Sequence, residues 1–289
     1  MRSFASATVF PLVLATAIVG SAVALERGMP VGTVLLVTAV ATVTAIVLLE
    51  RGLPYRREWN RSHGDLPADA VYLPMTVGVN VLIEPRAAVL GVVLGAWLSS
   101  TIGVGLWPSQ WPLLGQLAVA CVVAEFFDYW AHRVMHENRW LWRLHATHHS
   151  APRLYWLNAT RSHPGEMVFR GAVSIAPLSV LGADQSLFAM VGIVNIVVGL
   201  FQHANIDFAL GPLSWVFSIG EMHRWHHSRD LAEANSNYGN NFIFWDAVFG
   251  TRYRPAGGAC PSALGIAEPA AFPRTVLAQL VAPFRWSQL

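Results

Sequence analysis

Histidines are the residues of this chain whose types and spacing are best suited to chemistry. The 289-residue sequence contains 11 of them, and eight fall in one HxxxH motif and two HxxHH motifs. The three motifs are His132 and His136; His145, His148 and His149; and His223, His226 and His227. Residues at i, i+3 and i+4 of a helix lie on one face, so each motif should present its imidazoles to one side.

Eight imidazoles are more than one metal ion takes. Imidazole is a ligand for iron, zinc, copper and nickel, and a structural zinc site takes about four ligands. A single HxxxH arises often by chance, but two HxxHH motifs beside it are hard to explain without a metal. The sequence therefore predicts a two-metal centre, whereas the isolated His63 is expected to be an ordinary polar-loop residue.

Three carboxylates accompany the motifs. Asp128 precedes His132 by one helical turn, Glu125 lies close to the same face, and Glu166 follows His163. These carboxylates are candidates to hydrogen-bond the imidazoles and fix their tautomers. For Glu125 and Asp128 the alternative is that they simply face water near a helix end.

The composition indicates an integral membrane protein. The chain is 54% hydrophobic and 12% charged, whereas soluble domains carry about 25% charged residues. A bilayer crossing needs about 20 apolar residues. Four runs approach this length, and we predict that each is a transmembrane helix: residues 5–25, 30–49, 87–106 and 112–131. The first could be a signal peptide, but a second run follows it closely and favours a retained helix.

Two further apolar regions are less regular. Residues 70–83 are separated from the third crossing by Glu84-Pro85-Arg86 and are expected to form an interfacial or re-entrant helix. Residues 171–202 are interrupted at 182–185 and are expected to form a re-entrant apolar hairpin. The chain from residue 204 is polar or mixed and is predicted to form a cap.

Arginine placement orients this bundle. Residues 50–69 hold four Arg and residues 132–170 hold six, whereas the turns 26–29 and 107–111 hold one between them. The positive-inside rule places both Arg-rich segments in the cytoplasm. We therefore expect a multi-pass protein of a bacterial inner membrane with its active site on the cytoplasmic face. The formal charge of +2 is too small to suggest a nucleic-acid partner.

The motifs and their neighbours resemble the fatty acid hydroxylase/sterol desaturase superfamily of membrane-bound, histidine-rich di-iron oxygenases. Six segments carry the resemblance: 128–136 (DYWAHRVMH), 141–150 (LWRLHATHHS), 161–166 (RSHPGE), 203–205 (HAN), 223–228 (HRWHHS) and 237–251 (NYGNNFIFWDAVFGT). Order and spacing agree over residues 120–255. The resulting domain prediction is transmembrane helices over 1–111, the hydroxylase-like di-metal domain over 112–255 and a C-terminal tail over 256–289.

The resemblance implies an all-α membrane fold whose cytoplasmic helical cap holds the di-metal site. It implies that the eight motif histidines are ligands, with His203 as an additional one. His163 matches a recurrent family position, as a ligand or as a support. The 237–251 segment would be a structural brace for the last histidine helix. Trp156, Asn158 and Arg161 lie between histidine groups and are candidates to contact a lipid head group.

The implied chemistry is oxidation of a membrane lipid. Two iron ions would use O2 to hydroxylate an acyl chain, a carotenoid or a sterol-like substrate, and zinc can replace iron in a purified sample. Electrons would come from a separate ferredoxin or a cytochrome b5-like protein with its reductase. Desaturation by the same centre is the alternative. A histidine-based metal-binding or transport protein is disfavoured, because the histidines follow the apolar runs rather than interrupt them.

Overall fold

The computed structural model describes residues 2–103, 105–208, 210–255, 260–267, 269 and 271–288. Regular secondary structure in this part of the chain is entirely helical, and extended segments meet there only as isolated bridges. Four long helices come first: α1 (Arg2–Glu26), α2 (Val31–Gly52), α3 (Leu66–Ile102) and α4 (Leu113–Glu137). The predicted all-helical architecture is confirmed.

Helix α5 (Arg139–His149) turns away from the end of α4. Asn138 makes the break, because its side-chain oxygen accepts hydrogen bonds from the backbone N–H groups of Trp140 and Leu141. Asparagine is a favoured N-cap for this reason. The first HxxHH motif thus begins a new helix at an angle to the HxxxH motif.

Helices α6 (Pro164–Leu181) and α7 (Gln185–His203) form the predicted apolar hairpin. Gly182 makes the turn in a left-handed conformation, with φ of +93°. A Cβ at this glycine would lie 3.7 Å from Cβ of Trp107, in the turn between α3 and α4. The tip of the hairpin therefore lies beside the turn between α3 and α4.

Five helices are long and apolar enough to cross a membrane, where the sequence predicted about four crossings. They are α1 from Ala7, α2, α3, α4 and α7. Helix α7 is the additional one and is also the most buried of the five. It lies at the centre of the bundle, where Phe201 packs edge-on against Phe10 of α1 with ring centroids 5.3 Å apart.

Helix α3 is continuous, so the predicted interruption at Glu84-Pro85-Arg86 is wrong. A proline inside a helix removes one backbone hydrogen bond. Ending the helix in lipid would leave several backbone groups without partners, which costs more. The 37 residues of α3 would extend about 55 Å at 1.5 Å per residue, beyond the roughly 30 Å hydrocarbon layer. Its first turns accordingly carry buried residues of the cap, Asp69 and Tyr72.

Helices α3 and α6 approach each other closely through small residues. A Cβ at Gly91 would lie 2.4 Å from Cβ of Ser179, and a Cβ at Gly95 would lie 2.4 Å from the Val180 carbonyl oxygen. Gly91 and Gly95 form a GxxxG pattern, which lets helix backbones pack tightly in a membrane. This contact fixes α6, whose first turn faces the histidines.

Within its described residues, the cap contains four short α-helices, three 3-10 helices and irregular segments. The α-helices are α8 (Gly220–His226), α9 (Leu231–Ala234), α10 (Phe244–Val248) and α11 (Val276–Val281). Part of the predicted C-terminal tail lies across the ends of α5 and α8, since Gly265 N–H donates to the His227 carbonyl. Gln279 of α11 accepts a hydrogen bond from Tyr72 at 2.9 Å.

Both Arg-rich segments lie at the same end of the bundle. Arg153 makes two hydrogen bonds to the carboxylate of Asp65, one at 2.6 Å and one at 3.0 Å. The backbone of Tyr55 donates to the carbonyl of Asn205. The loop after α2 is thereby joined to the segments after α5 and α7, so the two Arg-rich segments lie on one side, as the positive-inside rule predicts.

Candidate metal centre

Nine histidines converge in two groups at this end of the bundle. Within each group the candidate ligand atoms all lie within 4.8 Å of one another. The five-histidine group is His132, His136, His145, His149 and His226. The four-histidine group is His148, His203, His223 and His227. These nine are the eight motif histidines and His203, the additional ligand implied by the resemblance, and His136 alone among them is only partly buried.

The two HxxHH motifs are divided between the groups. In the first motif His145 and His149 belong to the five-histidine group, whereas His148 belongs to the other. In the second motif the i and i+4 residues, His223 and His227, share the four-histidine group. Successive helix residues are rotated by about 100°, so two facing helices can each supply both groups.

The two groups are in direct contact. The imidazoles of His149 and His227 stack with centroids 4.4 Å apart and planes 23° apart. His145 of the five-histidine group also stacks on His148 of the four-histidine group, with centroids 5.3 Å apart and planes 25° apart. The arrangement is therefore one continuous cage with two centres.

Backbone carbonyls set the tautomer of three imidazoles. Nδ1 of His132 lies 2.6 Å from the Tyr238 oxygen, and Nδ1 of His226 lies 2.8 Å from the Ser236 oxygen. The third contact joins Nδ1 of His148 to the carbonyl of Arg161 at 3.1 Å. A carbonyl can only accept, so each Nδ1 carries the proton and each Nε2 has a free lone pair.

Side-chain oxygens do the same for two more histidines. Glu166 Oε1 accepts from Nδ1 of His145 at 2.8 Å. Asn158 Oδ1 lies 2.8 Å from Nδ1 of His203. Such contacts orient metal-binding histidines and raise the basicity of the nitrogen that binds.

The free nitrogens are arranged as cation ligands. Nε2 of His132 and Nε2 of His145 are 3.0 Å apart, although both rings carry their protons on Nδ1. Two lone pairs that face each other repel unless a cation lies beside them. Nε2 of His136 and of His226 is buried without a hydrogen-bond partner among the described atoms. The donor set therefore fits metal ions that favour imidazole.

Burial suppresses protonation of these rings. It lowers the pKa of the six HxxHH histidines, and neighbouring imidazoles add to the effect for each of them. For His148 burial lowers the pKa to about 3. Neutral imidazole is the form that binds metal, so the cage holds its ligands ready at neutral pH.

The three predicted carboxylates have different positions. Glu166 contacts His145 directly, and burial raises its pKa to about 8 against the opposing charge of Arg170. Asp128 forms an ion pair with Arg170 at 2.9 Å, so its carboxylate is engaged by a guanidinium rather than by an imidazole. Glu125 accepts the backbone N–H groups of Asn240 and Asn241 and so holds the brace segment.

The 237–251 segment braces the cage through its backbone. The carboxylate of Asp246 accepts hydrogen bonds from the N–H groups of Tyr238 and Gly239, each at 2.8 Å, and from the Thr251 hydroxyl. Tyr238 is the residue whose carbonyl holds His132. Asn237, with a φ of +52°, donates to the Met222 carbonyl in α8 at 3.1 Å.

His163 belongs to neither group. Its Nδ1 accepts the N–H of Gly165 at 3.0 Å and caps α6, while Nε2 lies 3.1 Å from the Leu280 carbonyl. It supports the helix that carries Glu166.

Asn158 and Arg161, considered as head-group contacts, are instead buried in the support of the cage. The Arg161 carbonyl accepts a hydrogen bond from Nδ1 of His148. Its guanidinium donates to the Asp69 carboxylate at 2.5 Å.

Sequence reasoning missed the acceptors Tyr238 and Ser236, because a backbone carbonyl has no side-chain signature. It also missed the pairing of Asn158 with His203, residues that are 45 positions apart.

One cleft opens onto the cage. It has a volume of about 420 Å³ and reaches His136 and His149 of the five-histidine group. Trp142, Leu231 and Trp286 supply apolar walls. A substrate segment of mostly apolar character can therefore approach this group.

Comparison with known proteins gives the class. The family model for fatty acid hydroxylase matches residues 117–251. An ornithine lipid hydroxylase of Rhizobium tropici is 37% identical over 235 residues, which cover 80% of this chain and 69% of the relative. Alkylglycerol monooxygenase of Homo sapiens is 30% identical over 145 residues, covering 50% of this chain and 31% of the relative. No solved structure matches significantly.

A very-long-chain aldehyde decarbonylase of Oryza sativa subsp. indica is 27% identical over 157 residues, 53% of this chain and 57% of the relative. The chain belongs to the fatty acid hydroxylase family, as the histidine motifs indicated. Its family is one of lipid hydroxylases and monooxygenases, which supports an oxidoreductase. With its apolar helices, this is a membrane protein.

Proposed function

We propose that this protein is a di-iron, O2-dependent hydroxylase of a membrane lipid. The observation that carries the proposal is the convergence of nine histidines in two contacting groups, with proton-free Nε2 atoms directed inward. One iron would be held by the five-histidine group and the second by the four-histidine group. When bound, such an iron pair supplies the activation of O2 that oxidation of an unreactive C–H bond requires.

The residues of this chain would contribute position and exclusion of water. Carbonyls and side-chain oxygens hold the Nδ1 protons of five imidazoles, which restrains these rings from rotating away from the ions. The five are His132, His145, His148, His203 and His226. Eight of the nine rings are buried, which keeps bulk water from the reacting centre. The cleft beside His136 and His149 would admit the substrate.

Hydroxylation is favoured over the alternatives by the relatives. Those most similar include an ornithine lipid hydroxylase and alkylglycerol monooxygenases, so we propose oxygen insertion rather than desaturation or metal transport. The proposed substrate is a membrane lipid, because the catalytic end of the chain is attached to at least five apolar helices.

The electron supply and the orientation are part of the same proposal. A separate ferredoxin or cytochrome b5-like donor would deliver the electrons. The metal centre would face the cytoplasm of a bacterial inner membrane. The common location of the two Arg-rich segments supports this orientation through the positive-inside rule.

Isotope labelling tests the proposed reaction. The protein is purified anaerobically, loaded with ferrous iron and supplied with membrane lipid, a reductant and 18O2. We expect one labelled oxygen atom in a lipid product, and none with a variant that lacks His145 and His149. Lipid oxidation without label from 18O2, or equal labelling by the variant, would exclude the proposed chemistry.

A further inference from the structure

A second cavity lies beside the histidine cleft. Its volume is about 330 Å³. The two spaces share walls formed by Arg229, Gly265, Ile266 and Pro269. A molecule that occupies the second cavity would therefore have its neighbouring part at the cleft that reaches His136.

The positive and negative side-chain charges around this cavity do not sum to zero. Asp65 lines it, but both of its oxygens are engaged by Arg153. Arg161 also lines it, and its charge is matched by Asp69 at 2.5 Å. These two ion pairs are closed within the protein and leave no net charge for a ligand.

Two further arginines at this cavity are not paired with a carboxylate among the described residues. Arg229 and Arg274 line the cavity, and within the described residues neither guanidinium has an ion pair or a side-chain hydrogen bond. The backbone of Arg229 is fixed, because its N–H donates to the Ala263 carbonyl at 2.9 Å. The cavity thus presents two unmatched positive charges, of which Arg229 lies on the wall shared with the histidine cleft.

We propose that Arg229 and Arg274 form a binding site for the anionic head group of the lipid substrate. This inference rests on the proposed hydroxylase function and deepens it. Guanidinium groups bind phosphate and carboxylate oxygens through paired, charge-assisted hydrogen bonds. The substrate class is therefore a lipid with a phosphate or carboxylate in its head group, and neutral glycerides are excluded from this site.

The walls of the two spaces suit such an amphipathic molecule. Leu264, Ile266 and Phe272 line the head-group cavity beside the arginines, and Trp142 and Trp286 line the cleft. An anionic group held by the arginines leaves the adjoining apolar part in contact with these side chains. The arginines would act by positioning the substrate, without contact to the reacting atoms.

Binding of a soluble lipid tests this site independently of turnover. Radiolabelled dioctanoyl phosphatidate and dioctanoylglycerol are dialysed separately against the full-length, iron-loaded protein in a neutral detergent. The variants are R229Q, R274Q and the double variant, and R285Q is the matched control because Arg285 is exposed on the same C-terminal segment outside both cavities. Iron content and melting temperature are measured for every variant.

We expect phosphatidate to bind the wild type at least about tenfold more tightly than dioctanoylglycerol does. Each single substitution should weaken phosphatidate binding by about tenfold, since one charge-assisted bond is lost. R285Q should bind as the wild type, and iron content should not change in any variant. A KM increase with an unchanged kcat is the expected kinetic counterpart.

Two results would overturn the assignment. The first is equal phosphatidate binding by the wild type and the double variant. The second is displacement of the lipid by inorganic phosphate at the same concentration, which would identify a free-phosphate site. Failure of the hydroxylase proposal would appear separately, as absence of 18O in products, because the dialysis measures binding alone.

Discussion

His148 and His149 are neighbours in the chain but belong to different histidine groups. Their ring centroids are 5.6 Å apart and their planes are 79° apart. The rotation between successive helix residues directs one ring to each centre. Because α8 repeats the arrangement, each of the two helices contributes ligands to both groups. The position of α5 therefore controls both candidate metal sites together.

Acidification should destabilise the metal-free protein. The unfolded chain has histidines that titrate near a pKa of about 6.5, whereas burial lowers the pKa of His148 to about 3 in the fold. Below pH 6.5 the unfolded state binds more protons, so stability is fully present above this pH and is lost as the pH falls. The loss should approach about 1.4 kcal/mol per pH unit for each such histidine.

Chemical unfolding of chelator-treated protein at pH 7.5 and at pH 5.5 measures this effect. The variant H148N should show a smaller difference between the two pH values than the wild type. Equal stability at both pH values in the wild type would contradict the effect of burial on the imidazoles.

Loss of the carboxylate at Glu166 should weaken metal binding. Above pH 8, where Glu166 is ionised, E166Q keeps an oxygen that can accept the Nδ1 proton of His145 but removes the negative charge, and E166A removes both. Partners of metal-binding histidines typically contribute about 10–100-fold in affinity, so we expect a loss in this range that is larger for E166A. Competition against a chelator of known affinity gives the measurement.

Glu137 supplies the matched control for Glu166. Its side chain is exposed and pairs with Arg133 at 2.8 Å, and it contacts none of the nine histidines. E137Q should bind metal as the wild type does. Equal affinities for E166A and E137Q would show that Glu166 does not support the centre.

The sequence predicted the members of the cage but not their division into two groups. Helical spacing fixes which histidines share a face, and the resemblance added His203. The division depends on how α5 and α8 face each other, which is a tertiary property. The carbonyl partners, such as Tyr238 on His132, are set by the path of a distant loop. The continuity of α3 was missed because, in lipid, the one backbone hydrogen bond lost at a proline costs less free energy than the unpaired backbone groups of a helix end.

The close contact between α3 and α6 should tolerate no added methyl group. In G91A the new Cβ would lie 2.4 Å from Cβ of Ser179, so one helix must shift. Overpacking of this kind costs about 1–3 kcal/mol. Gly78, in the same helix, has no atom within 4 Å of the added Cβ, and G78A is the control. Thermal unfolding in detergent should show a lower midpoint for G91A only; equal midpoints would argue against the close packing.

Removing the Asp246 carboxylate should loosen the brace. D246A leaves the N–H groups of Tyr238 and Gly239 without their acceptor, whereas the Thr251 hydroxyl can still bond to the Tyr129 hydroxyl at 2.9 Å. Each buried, unsatisfied donor costs about 1–3 kcal/mol, so we expect a loss of several kcal/mol in unfolding free energy. Metal retention should fall with it, since Tyr238 orients His132. D207A, at an exposed position, should leave both quantities unchanged; a fully stable, metal-replete D246A would exclude the proposed brace.

The most direct test of two metal sites is the iron content of protein purified anaerobically and loaded with ferrous iron. The wild type should hold about two ions per chain, because two groups of imidazoles suit that metal. H203A/H223A removes half of the four-histidine group and should retain about one ion, as a five-ligand imidazole site remains. H163A, which alters the cap of α6 and the contact with Leu280 but no member of either histidine group, should retain both ions. One ion in the wild type, or both ions in H203A/H223A, would contradict the two-site account.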